Sequence, residues 1–231
     1  MNQFVHLLKH DFILLQRNKI IGISALITVV YMAVFKGLSH FGSSEKILVL
    51  VIFNDPALLG FLFVGVMVLF EKNENTLQVL SITPMKESNY LLSKATALSI
   101  ISLVCCFAMA IAGVGGNFNF THYFFASLFT TLLFAFLGFI IVVGVNTFNR
   151  FILKAVGLLI LLSTPFLGYY DVVSRAWFLW IPTQPCVDLF SASFDPEMPI
   201  GQIIYGYIAL TLWLVVTYIF SLRLIRSKLK Q

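Results

Sequence analysis

Six apolar stretches, at residues 20–35, 47–70, 95–114, 122–145, 151–170 and 200–222, leave this chain few folds to choose from. Each is long enough, or nearly so, to cross about 30 Å of hydrocarbon at about 1.5 Å per helical residue. Backbone amides in hydrocarbon find no water, so runs of this kind satisfy themselves by forming helices. The expectation is an all-α polytopic membrane protein with six transmembrane helices. Charged residues are 11% of the chain, against roughly 25% in an ordinary soluble domain. No soluble domain is left over, and one membrane domain occupies residues 1–231.

Basic residues give the orientation. With the N-terminus inside, only Lys36, Lys46 and Arg175 of the fifteen Lys and Arg fall in outer segments, and the other twelve fall inside. The positive-inside rule then puts both termini in the cytoplasm. Topology and anionic headgroups account for the net charge of +5. The lipid bilayer is therefore the expected partner, and nucleic acid is not. The first stretch reads as a retained anchor, because the residues after it, Phe35-Lys36-Gly37-Leu38, offer no small-x-small cleavage site. Cys105, Cys106 and Cys186 suggest packing rather than a disulfide framework. Asn119-Phe120-Thr121 fits a glycosylation triplet, a pattern that also arises by chance.

Residues 2–18 project as an amphipathic helix with Phe4, Val5, Leu7, Leu8, Phe12, Leu14 and Leu15 on one side. Asp11 intrudes on that side and Ile13 on the other. Such a helix is expected in the membrane interface, with the first span rising from Lys19. It serves either as a simple anchor or as a lever that touches a soluble partner. His6 and His10 share a helix face at metal-site spacing, but the remaining histidines fall beyond the membrane and no metal is expected.

The largest inner loop, residues 71–94, carries Leu77 and Leu80 three apart, enough for one sticky face on a short helix. Pro84 then disfavours helix at Thr83 and suits the first position of a new helix, so a corner is expected there. An isolated helix this short is marginal in water and is suited to being ordered by docking.

The pattern Glu71-x4-Thr76-Leu77-x5-Thr83-Pro84, followed by Tyr90-Leu91-x-Ser93-Lys94, resembles the loop after the second span in permease subunits of type-2 ATP-binding-cassette exporters. Asn75 stands where Gly is usual, and Asn can still adopt a left-handed turn. The resemblance extends to the N-terminal helix ending in Arg17-Asn18-Lys19, the six spans and the basic tail, and is nearest to the permeases associated with fluoroquinolone export. It implies a bacterial plasma-membrane protein and a coupling contact to an ATPase subunit through Glu71, Asn75, Thr76, Leu77, Leu80, Thr83 and Pro84, with Arg17 beside it. It further implies a homodimer or paired permease that binds no cofactor itself, ATP and Mg being held by the ATPase partner. A non-transporting scaffold that recruits a soluble protein through residues 71–94 stands as the second reading.

Three further features invite a role in a pathway or gate. Asn54-Asp55-Pro56 lies within an apolar stretch, where an ionisable residue is costly unless it faces water or a partner. Either Asp55 belongs to a substrate or proton site, or Asn54 or Asp55 caps a helix begun by Pro56, which is the favoured expectation. Thr164-Pro165 suggests a kink in the fifth span. The segment 171–199 holds Pro182, Pro185, Pro196 and Pro199 beside Trp177 and Trp180, which suits short outer helices closing the bundle. The 24 Phe residues leave a drug-lining cavity and plain packing equally open. No phosphate loop, nucleophile elbow or zinc-protease helix occurs, so an enzyme is not expected and energy has to come from another chain.

Overall fold

The computed structural model describes residues 3–39, 45–74 and 86–229, and among them every regular element is helical. The chain runs through α1 (Gln3–Arg17), α2 (Ile20–Ser39), α3 (Glu45–Leu58), a π-helical turn (Leu59–Phe63), α4 (Val64–Asn73), α5 (Glu87–Val114) and α6 (Phe120–Val143). It continues through α7 (Phe148–Leu162), α8 (Pro165–Tyr169), a 3-10 turn (Arg175–Phe178), α9 (Gln184–Phe194) and α10 (Ile200–Leu229). Five helical stretches are long and apolar enough to cross a membrane, and α1 with α2, bent by 65°, makes up to six.

The bend has a local cause. Lys19 takes a left-handed backbone at φ 59°, its amide bonds the Gln16 carbonyl at 3.0 Å, and the Asn18 side chain donates to the Leu14 carbonyl at 2.9 Å. These bonds close the last turn of α1 and release the chain in a new direction. The start of α6 is equally explicit: Asn119 Oδ1 accepts from the amides of Thr121 and His122. The triplet that fits a glycosylation signal is a helix cap.

α6 stands at the centre, packed against α10, α5, α9, α3, α4 and the π turn. Pro56 removes one amide donor within α3, and the helix widens into the π turn soon after it. Here the two backbones nearly touch. A Cβ on Gly60 would lie 2.5 Å from the Thr131 carbonyl oxygen, and one on Gly138 would lie 2.6 Å from that of Phe61. Close small-residue crossings of this kind replace the hydrophobic drive that lipid cannot supply.

Much of the phenylalanine content is packing. Phe53 meets Phe134, Phe166 and Phe190 edge to face, with centroids 5.1–6.3 Å apart. Tyr123 gathers Phe107, Phe118, Phe190 and Phe194 in the same way. Exposed apolar side chains concentrate on α2, α7 and α10, among them Leu26, Leu153, Ile160 and Ile208, which suits contact with acyl chains.

The bundle has two unlike ends. The basal end holds α1, the last turn of α4, the first turns of α5 and the C-terminal part of α10, where Arg226 approaches Glu87 at 3.7 Å. The apical end holds α8, the 3-10 turn and α9, tied to α3 by the Lys46–Asp171 ion pair at 2.7 Å.

Candidate functional site

Asp11, the residue out of place on the apolar side of α1, is buried against Lys94 of α5. Lys94 Nζ lies 2.7 Å from Asp11 Oδ1 and 2.5 Å from Glu71 Oε1 at the end of α4. Ser93 Oγ donates to Asp11 Oδ2 and Tyr90 OH donates to Glu71 Oε2, each at 2.6 Å. All four carboxylate oxygens are therefore engaged. None of the five residues exposes more than 3% of its surface. The ammonium also lies 4.8 Å from the centre of the Tyr90 ring, where the π face adds to its stabilisation.

Neighbouring residues extend the anchorage. Lys72 donates to the carbonyls of Val142 (2.9 Å), Val143 (3.3 Å) and Val145 (2.8 Å), placing a cation on the C-terminal end of α6. Glu74 forms an exposed ion pair with Arg17 of α1 at 2.6 Å. The segment leaving α4 is thus held to α5, α6 and α1 within four residues. The segment returning into α5 is held by Tyr90, Ser93 and Lys94.

α1 consequently docks on protein as well as facing outward. Leu14 and Leu15 are buried, whereas Val5, expected on the apolar side, is half exposed together with Ile13. The two histidines also have more company than their spacing indicates. A cavity of about 270 Å³ is lined by His6, His10, Asp11, Glu71 and Lys94, and ligand atoms of His10, Asp11 and Glu71 lie within 4.8 Å of one another. Asp11 and Glu71 thus join His10 as potential ligands, a grouping of three that the histidine spacing does not announce. Both carboxylates already hold the Lys94 ammonium, which any divalent ion would have to displace.

Of the expected coupling residues, Glu71 and Arg17 fall in this cluster and its rim. Asn75, Thr76, Leu77, Leu80, Thr83 and Pro84, with the corner expected at Thr83-Pro84, lie outside the described residues.

The expected gate residues do not share one environment. Helix capping at Asn54-Asp55 is not what forms: α3 runs unbroken through Pro56, and Asn54 bonds back to the Leu50 carbonyl at 2.9 Å. Asn54 turns its side-chain amide back to the Leu50 carbonyl instead of presenting its oxygen to the amides beyond Pro56, and α3 carries on through the proline with one helical bond fewer. Asp55 is 1% exposed, and its Oδ2 has no hydrogen-bond partner. Pro165 is buried as the first residue of α8, after α7 has closed at Leu162. Trp180 is 86% exposed at the apical end, suited to the headgroup layer.

Residues 2–228 match the fluoroquinolones export permease protein family. The chain belongs to that family. Two proteins named fluoroquinolones export permease protein, from Mycobacterium tuberculosis strains CDC 1551 / Oshkosh and ATCC 25618 / H37Rv, are each 32% identical to it over 146 residues. The match takes in 63% of this chain and spans 62% of the length of each relative.

Within this permease, the residues that sequence reasoning under-read are Asp11, Lys72, Tyr90, Ser93 and Lys94. Two signals were present: a carboxylate on an apolar helix face and a lysine directly before an apolar run. A buried charge of either kind requires a partner. The three buried cysteines are free, as expected from their spacing. Burial pushes the Cys186 thiol on α9 up to about 12.

Proposed function

We propose that this permease is the membrane subunit of an ATP-binding-cassette exporter that moves an amphiphilic, drug-like substrate out of the cell. ATP and Mg are bound by a separate ATPase subunit, and two permease subunits work as a pair. The basal end lies in the cytoplasm, and residues 71–94 rest against the ATPase.

The observation that carries this reading, together with family membership, is the anchorage of residues 71–94 at both ends. A loop that is merely solvated needs no buried ion triad at its base. Here a force applied to the loop reaches α4 and α5 through Glu71 and Lys94, α1 through Asp11 and Arg17, and α6 through Lys72. Closure of two ATPase subunits would therefore move α1, α4 and α5 as one block, which is the mechanical requirement for turning nucleotide binding into rearrangement of the spans.

Transport of a fluoroquinolone into inverted vesicles tests this, using the permease co-expressed with the ATPase that co-purifies with it. Leu77→Asp places a charge in the apolar contact and is expected to abolish ATP-dependent uptake and most ATPase recovery at normal membrane abundance. A desolvated charge of this kind costs a few kcal/mol. Full uptake by Leu77→Asp would remove the coupling role of residues 71–94, whereas a parent that shows no ATP-dependent uptake and recovers a non-ATPase soluble partner would replace the exporter reading with a scaffold.

A further inference from the structure

The apical end contains a second built site. A cavity of about 490 Å³ opens there between α9, the turn after α8 and the start of α10, within the size range of small-molecule pockets. One stripe of α9 and its cap, Gln184, Asp188, Ser191 and Asp195, lines it at intervals of four, three and four residues. This is the spacing that keeps side chains on one helical face.

The hydrogen bonds along that stripe leave a defined deficit. Asp188 accepts from Arg175 at 2.7 and 3.2 Å and from Gln184 Nε2 at 2.9 Å. A carboxylate only accepts, so it fixes which end of the Gln184 amide faces it. The end left over is the carbonyl oxygen. Gln184 is 2% exposed, and its Oε1 has no partner; Ser191 Oγ, two turns along, also has none. The stripe thus carries a buried acceptor and a hydroxyl that nothing among the described residues engages.

Its charge points the same way. Lys46 is neutralised by Asp171, and Arg175 by Asp188. Asp195 forms no ion pair among the described residues and accepts only the Glu197 amide at 2.9 Å. The lining charge is therefore −1, concentrated at the C-terminal end of α9, where helix carbonyls also favour a cation. Val172, Val173 and Met198 supply an apolar wall.

We propose that this chamber binds an organic ammonium ion, its N–H groups directed at Gln184 Oε1, Ser191 Oγ and the Asp195 carboxylate, and its hydrocarbon part against the apolar wall. The site goes beyond the exporter reading and stands without it, since binding requires neither ATP nor an ATPase.

Three probes that share a benzyl group test it on the full chain in lipid nanodiscs, with empty nanodiscs as the blank: benzylammonium, benzyltrimethylammonium and benzyl alcohol. Calorimetric titration is expected to give benzylammonium at least tenfold tighter than the alcohol, with the trimethyl compound between them. Asp195→Asn should weaken both cations about tenfold. Ser191→Ala should weaken benzylammonium about threefold and leave the trimethyl compound unchanged, because the latter has no N–H to lose. Both variants alter side chains outside the core, and thermal midpoints within about 2 °C of the parent establish that they fold. Equal binding of the alcohol and benzylammonium would overturn the proposal, as would benzylammonium binding that ignores both substitutions.

Discussion

Lys94→Met isolates the basal ion cluster. The substitution keeps the length and apolar stem of the side chain and deletes the charge that two buried carboxylates share. Carboxylate oxygens of Asp11 and Glu71 lie within 4.8 Å of each other. At an effective dielectric of about 20, two unit charges at that distance repel by about 3–4 kcal/mol. Breaking a buried pair by removing one partner costs about 3–5 kcal/mol. The two estimates describe the same loss and are not to be added.

For a chain of this size, 1 kcal/mol moves a thermal midpoint by roughly 2–4 °C, so a fall of about 6–20 °C is expected. Detergent-solubilised protein heated at one fixed rate and scored by size-exclusion recovery measures it, since unfolding of such proteins is commonly irreversible and rate-dependent. The triple variant Asp11→Asn/Glu71→Gln/Lys94→Met removes all three charges while leaving oxygens for Ser93 and Tyr90 to bond. Neutral replacement of a buried triad is often close to neutral or stabilising. The triple variant should therefore melt above Lys94→Met. A midpoint for Lys94→Met within about 2 °C of the parent, or a triple variant that melts below the single one, would refute the claim that Lys94 holds α1, α4 and α5 together.

Lys72→Met should uncap α6, leaving the carbonyls of Val142 and Val145 without their cation and costing about 1.5–3 kcal/mol; faster proteolysis at the exposed turn around Asn146 and Thr147 is the sign to look for. Gly138→Ala should overpack the crossing with the π turn by about 1–3 kcal/mol, a loss read as a lower midpoint and one that Gly22→Ala, where a Cβ meets nothing within 4 Å, should not reproduce. Native Cys105, Cys106 and Cys186 should resist maleimide in the folded permease, because all are buried and the Cys186 thiol is pushed up to about 12. Against that silent background, a cysteine placed at Glu197 should label from outside intact cells and one at Asn73 should not; Asn73 labelling from outside would reverse the orientation.

The spanning helices were legible in the sequence because each is a long apolar run, a signal that needs no knowledge of what lies beside it. Their ends were less so. The α1–α2 bend depends on Lys19 adopting a left-handed backbone, which nothing in a lysine announces. At Asn54-Asp55-Pro56, local rules favoured a cap; α3 instead runs on through Pro56 with one helical bond fewer, and Asn54 bonds back to the Leu50 carbonyl. The basal cluster was half legible. Asp11 intrudes on an apolar face and Lys94 belongs to the recognised motif, but 82 residues separate Ser93 from its bond to Asp11, and no periodicity carries information over that distance. Glu71 was identified through resemblance, and its partners only through folding.

The cluster's composition bears on why charge is used where leucine would pack as well. An apolar joint between α1, α4 and α5 would hold with comparable strength and would tolerate sliding, since neighbouring rotamers and registers differ little in energy. Asp11, Glu71 and Lys94 tolerate almost none. A shift that separates Lys94 from either carboxylate leaves a buried charge unpaired, a cost near that of removing the partner outright. The joint is therefore stiff against small displacement, which suits the proposed exporter, in which this block would pass a push from residues 71–94 into the spans without absorbing it. On this reasoning the neutral triple variant should be stable yet compliant. It should recover the ATPase at parental levels while exporting more slowly per ATP hydrolysed, measured as the ratio of transported fluoroquinolone to released phosphate in the same vesicles. A parental ratio in the triple variant would mean that the charges secure the fold and that stiffness at this joint is not what coupling requires.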